Sequence, residues 1–489
     1  MLSLPGIRKG LLLAALFAFW LTPDMALAQK DSPDIPSVST TIAIQNARVV
    51  QAPGRVIEEA TIVFRDGVIT AVGKRVDAPY DARLIDGTGL TVYAGLIDAL
   101  SHAGIPESRP DGALESVPDR SNPPFDRAGI TPEKTARETL DPEEATVKAL
   151  RNLGFTTALV VPRSGMLPGQ ASLALLGGSE ATDMMLPGPD PMFFQFQGAR
   201  GVYPGTPMGI MSQFRQLYRE ADRRMKLDAM YAADPTGLPR PPYDAVHEAF
   251  YPVVAGKRSV VAWTSDALEV HRALKLADEL GFSVLLAGLN GGFDTVSDVA
   301  AAGVPVILTL NLPEKPEWAA AIKADSLQQI LDAYDDETRT ATFRDVEAEK
   351  RTLEGRQLWS RARYVGMAAG FEKAGVPFAF STKGADAKDL MANVQALLEE
   401  GLSSDAALAA FTTHAAAVLG VSDVMGSVDI GKMANLVVTE GELFGKETKV
   451  KMVFVNGHVY EPEAPRARRG NGGPENNAGP ESNGGNETN

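Results

Sequence analysis

Residues 267–286 read ALEVHRALKLADELGFSVLL, and this stretch sets the architecture of the middle of the chain. Positions 267–280 have helical spacing, Gly281 stands where a helix C-cap belongs, and 282–286 is a short, continuously apolar run. The same order recurs at 143–153, Gly154 and 155–161, at 295–302, Gly303 and 304–310, and again where a helix ending near Ala374-Gly375 leads into 376–380. Strands apolar on both faces must be covered on both, which is the condition of a parallel sheet wrapped by crossover helices. With about 350 residues available, an eight-stranded barrel with loop insertions accommodates the pattern better than an open doubly wound sheet. No G-x-G-x-x-G follows any of the strands, which counts against dinucleotide binding.

Outward from this core the chain changes character. Residues 41–50 and 60–72 are rich in β-branched side chains, with Asp66-Gly67 as a hairpin turn signal; 436–439 and 451–455 repeat the theme, with Asn456-Gly457 before His458 and Val459. The expected fold class is therefore α/β: a (β/α)8 TIM-like barrel plus a small β-sandwich built from both chain ends. Two segments resist the pattern. Residues 104–141 are polar and Pro-rich, and 202–243 carry a charged helix (about 207–230) followed by turns; insertions of this kind are either length variation or ligand-contacting loops.

At the N-terminus Arg8 and Lys9 precede an apolar run over 11–21, and Ala26-Leu27-Ala28 offers small residues for cleavage, so 1–28 reads as a secretory signal with Gln29 as the mature start. The run is too short to span a bilayer, and a periplasmic or secreted location with no membrane span is expected. Residues 461–489 collapse to Gly, Asn, Pro, Ser and Glu around a small Arg466, Arg468, Arg469 cluster, the composition of a disordered tail. The implied organisation is 1–28 signal, 29–94 first part of the sandwich, 95–422 barrel, 423–460 second part of the sandwich, and 461–489 tail. The formal charge of -15 leaves no electrostatic footprint for nucleic acid, and the absence of cysteine removes disulfides, thiolate metal sites and cysteine nucleophiles. The 489 residues include only five histidines: His102, His247, His271, His414 and His458.

Residues 84–98, LIDGTGLTVYAGLID, resemble the lead-in to the barrel of the amidohydrolase superfamily, imidazolonepropionase-like branch. Residues 303–308, Gly401-Leu402-Ser403, Leu419-Gly420, Gly426-Ser427-Val428 and 431–438 resemble later motifs of that branch, so the similarity runs over about 41–460. The resemblance implies hydrolysis of carbon–nitrogen or related bonds with one or two divalent metals, a metal lowering the pKa of bound water and polarising the carbonyl. It implies His-x-His after the first strand, lysine or glutamate after the fourth, single histidines after the fifth and sixth, and aspartate after the eighth.

Asked position by position, the chain departs from that pattern. Asp98-Ala99-Leu100-Ser101-His102 keeps the second imidazole, His102, and replaces the first by Leu100. Trp263 stands at the fifth position, and an indole N–H is a donor only. The sixth strand offers Asn290 rather than histidine, and Phe380-Ser381-Thr382-Lys383 puts Lys383 where the aspartate belongs. Residues 192–197, the candidate fourth strand, hold neither lysine nor glutamate. At about 4 Å and an effective dielectric of about 20, Lys383 would repel each unit of metal charge by about 4 kcal/mol. Zinc or another divalent metal is expected only if the chain is an active hydrolase with unorthodox ligands; otherwise no cofactor is expected.

A semi-enclosed lysine pairs with a carboxylate, binds an anion, or loses its proton and becomes nucleophilic. Pairing of Lys383 with Asp98, replacing the lost metal's charge, is the structural expectation. Asp98, Leu100, Trp263, Asn290 and Thr382 are expected to line the pocket, with Lys383 as the catalytic-position residue and His102 as the residual metal ligand. His271, among Val270, Leu274 and Ala277, reads as a packed helix residue, His414 as a helix start and His458 as exposed. No G-x-S-x-G elbow or phosphate-binding loop supplies a second catalytic set. The leading expectation is an exported pseudoenzyme that binds a small-molecule ligand or partners an active amidohydrolase relative, with homo-oligomerisation left open. The alternative is an active metal-dependent hydrolase of small peptides or cyclic amides.

Overall fold

The computed structural model describes residues 41–107, 117–315 and 341–462. The signal-like segment and all but the first two residues of the tail lie outside the described residues. Five strands come first: β1 Thr41–Ala52, β2 Arg55–Arg65, β3 Val68–Gly73, β4 Arg83–Asp86 and β5 Leu90–Ala94. The middle holds β6 Leu96–Ser101, β7 Phe155–Val160, β8 Gly169–Gln170, β9 Ser172–Leu175, β10 Met192–Gln195, β11 Val260–Thr264, β12 Val284–Gly288, β13 Val306–Thr309 and β14 Phe378–Ser381. The chain then returns as β15 Leu436–Glu440, β16 Lys449–Val455 and β17 His458–Tyr460.

Both chain ends enter one eight-stranded sheet, ordered β17-β16-β15-β5-β1-β2-β3 with β4 also on β1. The small β-domain expected from both chain ends is one continuous hydrogen-bonded sheet that closes over its own core. The cause lies in β1: its pairing with β2 is interrupted by register shifts near Asn46, which has φ 58, so that β4 and β5 share one edge of a kinked strand. Asp66 and Gly67 (φ 50 and 75) and Asn456 and Gly457 (φ 50 and 79) adopt the positive φ that type I′ turns demand. Gly67 O accepts from Ala434 N at 2.7 Å, and Phe64 meets Phe454 edge-on at 5.2 Å between centroids, closing the bent sheet.

In the middle, β10 to β14 form a parallel ladder, and β6 pairs parallel with β7. The third position departs from the parallel pattern. β9 runs antiparallel to β7 and β8 antiparallel to β10, and Ala171 alone separates β8 from β9, so one strand passes from one sheet to the other. Between β14 and β6 there is no ladder; Leu100 O accepts from Ser381 Oγ (2.6 Å) and Lys383 N (3.3 Å). The wall is thus TIM-like in order, with a seam between its first and last strands.

Two cores explain the continuous apolar runs. Ile97, Leu159, Phe193, Val261, Leu285, Ile307 and Ala379 fill the inside of the wall, while Phe155, Val260, Leu286, Leu308 and Phe380 belong to the core under the helices. The helix Ala267–Leu280 ends at Gly281 with φ 76, and Val296–Ala302 at Gly303 with φ 63, the left-handed caps that the sequence announces. The charged segment forms the long helix Pro207–Ala233, capped by Thr206. Its Phe214 packs against Phe194, Phe250 and Phe282, so this insertion is a crossover helix on the outer core.

Candidate functional site

The C-terminal ends of the parallel strands gather the residues that the sequence singles out. At the end of β6 the Asp98 carboxylate is fully buried. Its Oδ1 accepts from Thr382 N (3.0 Å) and Leu100 N (3.3 Å), and the Thr382 hydroxyl donates to Oδ2. Burial pushes its pKa up to about 6, against the pull of these donors. Asp98 is therefore the staple of the β6–β14 seam. Its partner is Thr382 and not Lys383: the pairing expected from the sequence is not made, because the carboxylate's lone pairs are already taken by the adjacent backbone.

The Lys383 ammonium turns instead to the aromatic side of the mouth. Its Nζ lies 3.9 Å from the centroid of the Trp263 ring and 5.9 Å from that of Phe193. A desolvated cation over an indole face is worth about 2 kcal/mol, but it forms no ion pair with any carboxylate among the described residues. Burial lowers its pKa to about 8. Gly288, with φ 88, makes room for the indole, since a Cβ there would stand 3.1 Å from two ring carbons and 2.7 Å from Thr264 O.

His102 occupies the rim between β6 and β7. Its Nδ1 lies 2.8 Å from Val161 O, and since a carbonyl only accepts, Nδ1 carries the proton and Nε2 the lone pair. Burial, with the charges of Lys383 and Arg163, lowers its pKa to about 4 in spite of that bond. Leu100 is fully buried in the inner core beside Phe193 and Val261. Asn290 follows Leu289, a non-glycine residue at φ 52, and its Oδ1 is buried without a partner.

Arg163 and Gln195 escape the sequence reading. Arg163 donates through Nε and Nη2 to Ile105 O (3.0 and 2.8 Å), and Gln195 at the end of β10 donates to Gly165 O at 2.7 Å. Neither has a local signal, since each is defined by a carbonyl on another loop. Beside them opens a cavity of about 760 Å³, with Ile105, Lys134, Arg163, Gln197 and Arg200 in its lining.

The other histidines lie elsewhere. His247 is buried between Asp244 Oδ2 (2.8 Å from Nδ1) and Glu220 Oε2 (2.9 Å from Nε2). His271 is exposed and 3.7 Å from Asp298, not packed as its neighbours suggested; Val270, Ala273 and Ala277 carry the buried face, and His271 falls off it. His414 opens the helix Thr413–Val418, and His458 is exposed in β17.

The residue types at this mouth do not fit a divalent metal. Leu100 and Trp263 offer no lone pair, Lys383 adds a cation, and among the described residues no three His, Asp or Glu side chains are grouped to hold an ion. Residues 363–460, the segment that runs from the helix before β14 through β17, match the amidohydrolase family model, and the fold resembles that of a solved amidohydrolase. The fold half of that statement rests on an amidohydrolase from Thermotoga maritima MSB8, similar at TM-score 0.67 and 19% identity over 86% of this chain and all of that one. Molinate hydrolase, at TM-score 0.49 and 17% identity over 88% of this chain and 98% of that one, is a looser likeness that carries no argument. A dihydroorotase from Anaeromyxobacter dehalogenans (strain 2CP-C) is 35% identical over 65 residues, a match spanning 13% of this chain and 15% of that protein's length. Set on this amidohydrolase scaffold, the Leu100, Trp263 and Lys383 side chains put apolar, aromatic and cationic groups where the resemblance implies imidazoles and a carboxylate.

Proposed function

We propose that the protein is an exported amidohydrolase-type barrel that does not hydrolyse by a metal route and whose mouth binds a small molecule. The observation that carries this reading is the replacement of electron-pair donors at the strand ends: Leu100 is sealed in the inner core, and the Lys383 ammonium lies on Trp263. Both changes act in the same direction. One removes a ligand, and the other places a positive charge where a dication would have to sit. What remains suits binding: a half-buried cation, an aromatic wall and a neutral imidazole.

Elemental analysis of the purified protein, read beside hydrolysis of a panel of dipeptides and cyclic amides, tests this. The expected result is substoichiometric zinc, manganese and iron with no turnover. Stoichiometric metal with turnover abolished by chelation would establish the active-hydrolase alternative. Export is supported by the Arg8-Lys9, apolar-run and Ala-Leu-Ala pattern of the first 28 residues, and N-terminal sequencing of protein from the producing cells is expected to begin at Gln29.

A further inference from the structure

We infer that the barrel mouth binds the carboxylate of a small apolar or aromatic acid, received by the Lys383 ammonium against the Trp263 ring. The inference rests on the reading above that this mouth binds rather than hydrolyses, and it names the ligand class.

Charge balance makes the case. Lys383 Nζ makes no ion pair with any carboxylate among the described residues, and its only partners there are two ring faces, Trp263 at 3.9 Å and Phe193 at 5.9 Å. Arg163, on the neighbouring rim, spends two N–H groups on the carbonyl of Ile105 and lines a cavity that also holds Glu107 and Asp126. His102 is kept neutral chiefly by burial, to which the charges of Lys383 and Arg163 add. Asp98 cannot supply the missing negative charge, since it is fully buried and bound to Thr382 and Leu100. Among the described residues Lys383 thus has no countercharge, whereas Arg163 shares its cavity with Glu107 and Asp126.

Such a site gains most from a ligand that brings one negative charge on an apolar body. A desolvated ammonium forms strong charge-assisted hydrogen bonds to a carboxylate. The partly exposed Trp263 ring then offers the apolar flank that a phosphate or sulfate could not use. Gly288 leaves the indole its place under Lys383, since a Cβ there would crowd two ring carbons at 3.1 Å and Thr264 O at 2.7 Å.

Benzoate, phenylacetate and indole-3-acetate, each against its neutral amide, are the probes, read by titration calorimetry on the full-length mature protein. At least one carboxylate is expected to bind one to one, with its amide weaker by about tenfold or more, the scale of one charge-assisted bond. Lys383→Met should lose that affinity, Lys383→Arg should keep most of it, and Gly288→Ala should weaken it without touching the charge. Failure of all three acids to bind, equal binding of acid and amide, or unchanged binding in Lys383→Met would overturn the inference. The acid–amide comparison needs no variant, so it stands even if a substitution unfolds the chain. Absence of carboxylate binding in a protein without turnover sinks this inference alone, whereas metal-dependent turnover sinks the reading beneath it.

Discussion

Two polar centres among the described residues are built in opposite ways. At the outer helices, His247 is held by a carboxylate at each ring nitrogen, Asp244 at 2.8 Å and Glu220 at 2.9 Å, and Arg224 approaches Asp244 at 3.4 Å. Both carboxylates there face side chains of the protein itself, His247 and Arg224. At the barrel mouth, Lys383 has aromatic partners but no countercharge among the described residues, and the buried Asp98 is spent on holding a seam. A balanced centre fixes helices to one another; an unbalanced one retains interaction energy for something that arrives from outside.

The comparison can be broken most forcefully at the seam. Replacing Asp98 by alanine strands two backbone N–H groups and the Thr382 hydroxyl in a site closed to water, and should cost about 3 kcal/mol of unfolding free energy, measured by chemical denaturation. Asp98→Asn keeps the Oδ1 acceptor and can donate to the Thr382 hydroxyl, so it should cost far less. The same variant exposes a pH effect. A carboxyl group raised to about 6 contributes stability that is full below its ordinary value of 3.8 and is lost as pH rises through 6. An imidazole lowered to about 4 contributes stability that is full above its ordinary 6.5 and is lost as pH falls towards 4. In the native protein these trends oppose each other, whereas Asp98→Asn should show a clear loss of stability on acidification between the two histidine values. A flat profile in that variant would mean that His102 is not held neutral.

A smaller effect is expected at the balanced centre. His247→Leu removes the group between two carboxylates that are themselves partly exposed, so the loss should be about 2 kcal/mol, below the full cost of breaking a buried pair. The smallest change is expected at Lys383, where methionine fits the aromatic wall and no carboxylate is abandoned. Stability should stay level or rise by about 1 kcal/mol, and the His102 titration followed by NMR should move upward as one of its two opposing charges disappears. A large loss of stability in Lys383→Met would show that the cation–π contact is structural, which would erase the contrast.

Much of the fold was legible because its signals are local. Glycine caps and apolar runs placed the strands from β11 onward, and two Xaa-Gly turns announced the hairpins that bring the chain ends together. The antiparallel third position was not legible: β8 and β9 are two and four residues long, too short for any periodicity. The exposed His271 shows the same limit on a helix, where one step of 100° separates the buried face from solvent.

The sequence by itself determined which chemical groups stand at the strand ends, and so what the mouth lacks: one isobutyl, one indole and one ammonium where a metal would need donors. Only the tertiary structure decided how those groups are matched. Asp98 meets Thr382 across 284 positions of chain, and Lys383 faces Trp263 instead of the acid that its charge suggests. Periodicity and turn chemistry act over a few residues, whereas the choice of partner depends on which strand ends the closing wall brings together, and on which lone pairs the backbone has already claimed.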